Sequence, residues 1–317
     1  MAEQNSSENG ASGAKLSAQK TRYRIIERQS AMAIEADQNT IVAEAELTTF
    51  DARHLPGALK LSQEMNWPYR LEDWEFAAAA GHGLALERDG RLIGTALWWP
   101  YGQSNANAGM IIVTGTEQGR GYGALLFDAL LTETQGRNVM LCSTKEGMPL
   151  YKRRGFAEIG TIVQHQAPLE VAVEGCDGIR LANASDIPAI QDFDRRATGL
   201  NRARLVAALA APGRVAIIER AGLVTGYSIA RRFGRGYVVG PVAAESTDDA
   251  KNLILEQLSR LRGQFVRIDV HAEHGLSDWL VSLGLPRTDQ GTAMVKGQPP
   301  HPNGPARMYA LASQSLG

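Results

Sequence analysis

The sequence is poor in cysteine: Cys142 and Cys176 are the only two in 317 residues. The first lies inside an apolar run and the second between Gly175 and Asp177, with no C-x-x-C spacing and no secretory leader. A disulfide framework and a thiolate metal cluster are both excluded, and the expected setting is the reduced cytoplasm. An excess of charge is also missing, since 33 Lys and Arg face 34 Asp and Glu for a formal net charge of −1. No strong field is available to recruit nucleic acid or an anionic membrane. Nor does any run reach the ~20 apolar residues that a bilayer span requires. What remains is a 44% hydrophobic chain, long enough for more than one domain, whose expected partner is a small molecule. Residues 1–40 form a leader, polar and rich in Ser, Asn and Gly through Lys15, and disorder is expected at least to that point.

The apolar periodicity predicts a first strand over 41–47, a helix over 51–65 and a second over 71–80. Between the helices, Pro68 keeps Asn66-Trp67-Pro68-Tyr69-Arg70 a loop. A hairpin follows, 83–87 and 92–99, joined by the Asp89-Gly90 turn. Next come a buried strand over 109–113, a helix over 124–132, a strand over 139–142 and a short helix over 148–153 stopped by Gly155. A similar succession begins after Gly178: helices at 186–194 and 203–210, strands at 215–219, 224–230 and 237–239, a helix at 248–261, a strand at 265–270 and a helix at 276–283. Such self-similarity points to duplication: an α/β (α+β) chain of two tandem domains, 41–173 and 179–317, each a mixed sheet flanked by helices, with 174–178 as linker.

The chemistry concentrates in Gln118-Gly119-Arg120-Gly121-Tyr122-Gly123, where three alternate glycines follow an apolar strand and open an amphipathic helix. Glycines let the main chain approach a bulky anion, and the helix N-terminus adds free N–H donors and the positive end of its dipole. A phosphate is the natural occupant. A Walker loop would end in Gly-Lys-Ser/Thr and a Rossmann fingerprint would read G-x-G-x-x-G, so neither nucleotide fold applies.

The strand, the Q-x-x-G-x-G loop, the helix, and then Leu150-Tyr151-Lys152-Arg153-Arg154-Gly155-Phe156 about thirty residues on, resemble the Gcn5-related N-acetyltransferase (GNAT) superfamily over most of residues 42–165. The resemblance implies that acetyl-CoA is the donor and CoA a product. The amides of Gln118, Gly119, Arg120, Gly121, Tyr122, Gly123 and Ala124 would hold the pyrophosphate, and Ile111, Ile112 and Val113 would pair with the pantetheine arm. The Val113 backbone would polarise the thioester carbonyl, and Tyr151 would protonate the departing thiolate. Many relatives carry Asn seven residues before this tyrosine and Ala four before it. This chain has Thr144 and Gly147, so Thr144 stands where a pantetheine contact is usually made.

A base is harder to find, because the strands 92–99 and 110–113 contain no carboxylate. Glu72, Asp73 and His82 are the candidates. Trp67, Tyr69 and Trp74 are expected to line the acceptor cavity, while Trp98 and Trp99 are adjacent on a strand and must point to opposite faces. The second half lacks the glycine loop, and Pro241 and Glu245 at the equivalent place argue against CoA there. It resembles the C-terminal domain of tandem superfamily members through Asp194, Gly199, Arg202 and the Tyr309-Ala310 segment. It either closes over the acceptor through Asp194 or Arg202, or serves as scaffold completing a sheet or a homodimer. His271 and His274, spaced H-x-x-H, do not make a zinc site, and no metal is expected. Cys142 has no His partner in sequence, so transfer to a small-molecule amine is expected to be direct. The alternatives are a longer acyl donor, a protein or peptide acceptor, and a CoA-binding sensor without turnover.

Overall fold

The computed structural model describes residues 45–317; the leader and the beginning of the expected first strand lie outside them. The first half runs β1 (Glu46–Thr49), α1 (Leu55–Glu64), α2 (Leu71–Ala80), β2 (His82–Arg88), β3 (Arg91–Tyr101), β4 (Asn105–Val113), α3 (Tyr122–Glu133), β5 (Asn138–Ser143), α4 (Met148–Lys152) and β6 (Ala157–Pro168). The same order returns as β7 (Ile179–Leu181), α5 (Ile187–Thr198), α6 (Ala203–Ala210), β8 (Arg214–Arg220), β9 (Leu223–Phe233), β10 (Gly236–Ala244), α7 (Thr247–Leu258), β11 (Phe265–His271), α8 (Ser277–Ser282) and β12 (Arg287–Lys296). Among the described residues one strand has no counterpart in the first half: β13 (Arg307–Ala310).

Local chemistry repeats with the order. Asp89 (φ 51°) and Gly90 (φ 72°) turn the β2–β3 hairpin, and Ala221 (φ 49°) and Gly222 (φ 76°) make the same turn between β8 and β9. Positive φ at both central residues matches the twist of the flanking strands.

The two mixed sheets are joined into one of thirteen strands, in the order β1-β2-β3-β4-β5-β12-β6-β11-β13-β10-β9-β8-β7. The joint is a reciprocal exchange. β12, the last strand of the second repeat, lies antiparallel to β5, with Ala293 opposite Cys142; β6, its counterpart in the first repeat, lies antiparallel to β11, with Val270 opposite Val163. β12 and β6 then pair with each other at the centre. Helices α1, α2, α5 and α6 cover one face through a core that crosses both halves, including Leu61, Trp74, Phe193, Val206 and Tyr227. On the other face α3 and α4 pack through Phe127, Leu130 and Tyr151, and α7 and α8 through Leu253, Ile254 and Leu280. Trp99 belongs to the first of these cores and Trp98 to the second, the opposite facing that adjacent strand residues require.

Candidate active site: an open wedge in the first half

β4 and β5 are parallel and hydrogen-bonded from Asn105/Asn138 to Ala108/Leu141, and no further. Beyond that point they splay, because β4 bulges: its register against β3 slips between Leu97/Gly109 and Thr95/Ile112, and Met110 takes a positive φ of 51°. The Thr114 N–H bonds back to Ile93 O at 2.9 Å. In an antiparallel ladder the preceding residue faces the other way, so Val113 turns its N–H and C=O toward the wedge. The Gln118 side chain caps that C=O at 3.1 Å, and the N–H is left facing the gap.

At the mouth of the wedge stands the glycine loop. Gly119 (φ 77°) and Gly121 (φ 86°) occupy the left-handed region, where a side chain is strained, and a Cβ on either would meet nothing within 4 Å. The backbone is therefore bare on its outer surface. Gly121 caps α3 with no side-chain hydrogen bond, and the first turn has no acidic residue, so the amides of Tyr122, Gly123 and Ala124 and the dipole of a twelve-residue helix are uncompensated. Two carboxylates are near: Glu64, exposed, accepts from the Thr114 hydroxyl at 2.7 Å and the Gly115 N–H at 3.3 Å, and Glu117 is buried and paired with Arg88, with Arg120 Nε at 3.6 Å. The Glu117 charge is neutralised by these cations before it can oppose an anion. The loop and wedge thus suit a diphosphate ester with an extended, amide-bearing arm.

Tyr151 lies against this site on α4, 8% exposed, its ring edge-on to Phe127 at 4.8 Å and tilted against Phe156 at 6.1 Å. Gly147 leaves room for it, since a Cβ there would sit 2.9 Å from the ring. Burial pushes its phenol up to about 12, with the neighbouring Cys142 adding to the rise. Cys142 is itself pushed up to about 12 by burial. At neutral pH both groups keep their protons, and the cysteine is no activated nucleophile. Thr144, exposed, accepts from Gly147 N–H at 3.3 Å, a cap on the turn into α4.

The corresponding wedge in the second half is closed by the chain itself. β10 and β11 pair only at Tyr237/Val266 and Val238/Arg267, and β13 then enters between them, bonding β10 from Val242 to Ala244 and β11 at Val270. A peptide strand lies where the first half has its gap. Glu245 is turned to Arg196 at 3.8 Å.

Several residues expected at an acceptor wall are placed otherwise. Trp74 is fully buried core, stacked on Phe50 at 6.1 Å with its indole N–H on Ser62 at 3.1 Å. Trp67 and Tyr69 pack on each other, and Tyr69 meets Phe233 and hydrogen-bonds Ser315 at 3.0 Å. Asp194 is an internal counterion: Arg202 donates to it from Nη2 at 2.6 Å and from Nε at 3.1 Å, and the Tyr227 hydroxyl donates too. Of the candidate bases, Glu72 and His82 are exposed, and Asp73 is consumed by Arg70 and by the Gly234 N–H at 2.9 Å. For Tyr69 and Asp73 the reason lies at the seam between the halves, where Ser315, Phe233 and Gly234 are partners more than 150 residues away that no local pattern records.

A cavity of about 370 Å³ does adjoin the wedge, on the face of α1, α2, α5 and α6. It begins at Asn107, Leu141 and Cys142, where β4 and β5 part, and reaches His271, Glu273 and His274 on the second half. Arg202 forms part of its wall. The segment after β13 flanks it: Asn107 donates to Ser315 O at 2.7 Å, Tyr101 to Leu316 O, and a Cβ on Gly109 would lie 3.0 Å from Ser315 Cβ. Among the described residues no helix is long and apolar enough to cross a membrane.

A glycine-loop wedge of this geometry defines an acyltransferase of the GNAT type. Residues 42–156 match the model of the acetyltransferase (GNAT) family and residues 190–310 that of an acetyltransferase (GNAT) domain, so the chain belongs to that family, with two such domains in tandem. Similar proteins include the uncharacterized N-acetyltransferase YitH of Bacillus subtilis, 27% identical over 86% of this chain and 98% of that one. A holothin acyltransferase of Pseudoalteromonas is 27% identical over 68% of this chain and 75% of its own length. In fold, a putative acetyltransferase from Pyrococcus horikoshii superposes with a TM-score of 0.75 at 17% identity, over 90% of this chain and all of the other. A tandem GNAT protein of clavulanic acid biosynthesis gives 0.60 at 14% identity, over 80% and 98%.

Proposed function

We propose that this acyltransferase moves an acetyl group from acetyl-CoA directly to the amine of a small molecule, with the donor in the first half alone. The observation that carries the reading is the asymmetry of the wedges: the first is open with bare amides at its mouth, and the second is filled by β13. The pyrophosphate lies on the amides from Gln118 to Ala124, and the pantetheine arm takes the place along Ile111–Val113 that β13 takes along β10. The amine attacks the thioester carbon, and the charge that develops on the carbonyl oxygen is met by the Val113 N–H. The C–S bond then breaks, its electron pair leaves on sulfur, and the Tyr151 hydroxyl supplies the proton. The proton lost by the amine restores the phenol through solvent.

Calorimetric titration with acetyl-CoA tests the donor site. Wild type is expected to bind saturably, and Gly121→Glu to bind at least a hundredfold more weakly while remaining folded, since a carboxylate then faces the pyrophosphate in a backbone region that disfavours side chains. Absence of binding by wild type overturns the reading. Because transfer is direct and the Cys142 thiol stays protonated to about pH 12, Cys142→Ala should retain turnover within about threefold. Loss of turnover in a folded variant that still binds CoA would instead require an acyl-enzyme.

A further inference from the structure

The chemistry of the acceptor is written in the inter-half cavity. Its volume of about 370 Å³ is within the range of roughly 300–1,000 Å³ that small-molecule sites occupy. It is also long. Cys142 is on β5 and His271 on β11, with β12 and β6 between them, so at about 4.8 Å per strand its two ends are roughly 14 Å apart. The walls between those ends are apolar, among them Met140, Ile162, Leu200, Ala293 and Leu311, and Ile159 lines it while 43% exposed.

The ionisable groups on its surface are largely satisfied. Arg202 is neutralised by Asp194, Glu273 is 3.3 Å from His271, and burial lowers His274 so that it favours the neutral ring. Arg307 donates to the carbonyls of Gly304 and Ala306. One polar group is not satisfied. Gln314 Nε2 is buried without a partner. Its amide is near the wedge end, since a Cβ on Gly291 would lie 3.5 Å from Gln314 Oε1 and 2.4 Å from Cys142 Sγ. A buried donor left unpaired is costly, and a half-turn of the terminal amide, which exchanges N and O, would bring the N–H groups to the place of Oε1, where a ligand oxygen beside the reacting amine would satisfy them.

We infer that the acceptor is an elongated primary amine with an apolar body and a carbonyl oxygen near the amine, held by Gln314. The inference rests on the donor site proposed above. The second half thereby acts in the reaction: its own wedge is closed, but the segment after β13 carries the specificity-determining side chain.

The test uses the full chain, acetyl-CoA, and a ladder of acceptors: benzylamine, phenethylamine, 4-phenylbutylamine and phenylalaninamide, with spermidine and a lysine peptide as the other arms. In wild type kcat/KM should rise roughly fourfold per added methylene until the cavity is filled, and the amide should exceed phenethylamine at least tenfold. Ile159→Asp, at a partly exposed position, should abolish the length dependence. Gln314→Leu should bring the ratio of amide to amine toward one, a readout that a merely structural role would leave unchanged. The acetyl-CoA Kd should stay within twofold in both. If acetyl-CoA binds but only spermidine or the peptide is acetylated, or if no acceptor turns over, the substrate class is wrong. If the amines turn over and neither variant alters their ranking, the cavity is not the acceptor site. Failure to bind acetyl-CoA at all is a different result, the loss of the donor site itself.

Discussion

Tyr151→Phe is expected to lower kcat about a hundredfold while leaving the acetyl-CoA Kd within twofold, the lower part of the range that a positioned general acid supplies. Phenylalanine keeps the ring between Phe127 and Phe156 and over Gly147, so the packing that seats α4 is preserved and only the proton is removed. A phenol pushed up to about 12 is at first sight a poor donor to a thiolate of ordinary basicity, near 8.5. The environment changes both members of the pair. Cys142, a thiol beside Tyr151, is likewise pushed up to about 12 by the same burial. Burial at this place would raise the basicity of a thiolate released beside Tyr151 in the same direction, which narrows the mismatch between donor and acceptor.

The pH dependence follows from the sign of the shift. With its folded value raised, the phenol is protonated throughout the neutral and mildly alkaline range and is lost only as the pH approaches about 12. The rate of wild type should therefore rise with pH as the acceptor amine sheds its proton, with no descending limb below about pH 10.5, and the deficit of Tyr151→Phe should be constant from pH 7 to 10. A descending limb near pH 8 in wild type that vanishes in the variant would contradict the raised value. A variant with full kcat would remove Tyr151 from the chemistry and leave it a core aromatic.

The parts of this molecule governed by near neighbours are plain in its sequence. The helices α2 and α6 begin and end where periodicity puts them, the Asp89-Gly90 turn is where its dipeptide demands, and the glycine loop announces itself because positive φ is a local requirement. β4 is less transparent: only 109–113 reads as strand, whereas pairing starts at Asn105. Asn107 is buried there because Ser315 O takes its amide, a contact 208 positions away. β7, β12 and β13 have no clear local signature. β12 reads Arg-Thr-Asp-Gln-Gly-Thr-Ala-Met-Val-Lys, and its edges are satisfied by β5 and β6 of the other repeat. Because β6 and β12 are equivalent strands in a duplicated fold, either could close either sheet, and no periodicity distinguishes the direct arrangement from the exchanged one. The site divides in the same way. The glycine loop of the proposed donor side is made of consecutive residues, while the cavity is assembled from Asn107 to Gln314, side chains that no local pattern brings together.

Asp194→Ala should cost about 3–5 kcal/mol of stability, because it leaves the Arg202 guanidinium, whose side chain is 2% exposed, buried without an anion. Arg202 gives Asp194 two hydrogen bonds, at 2.6 and 3.1 Å, and Tyr227 gives a third, and the carboxylate is buried behind them, away from the cavity wall. The expected fall in Tm is on the order of 10 °C for a chain of this size. Removing the cation as well should recover most of the loss. Asp194→Ala combined with Arg202→Met replaces the broken pair by apolar volume, and such replacements of buried ion pairs are commonly neutral or better. The same double variant separates the roles of the two halves. Arg202 begins the turn into α6 and forms part of the cavity wall, so the apolar substitution should keep turnover of apolar amines within a few fold once the fold is restored. Were Asp194 instead a contact to the acceptor, the single variant would keep its Tm and raise the acceptor KM, and adding Arg202→Met would restore nothing.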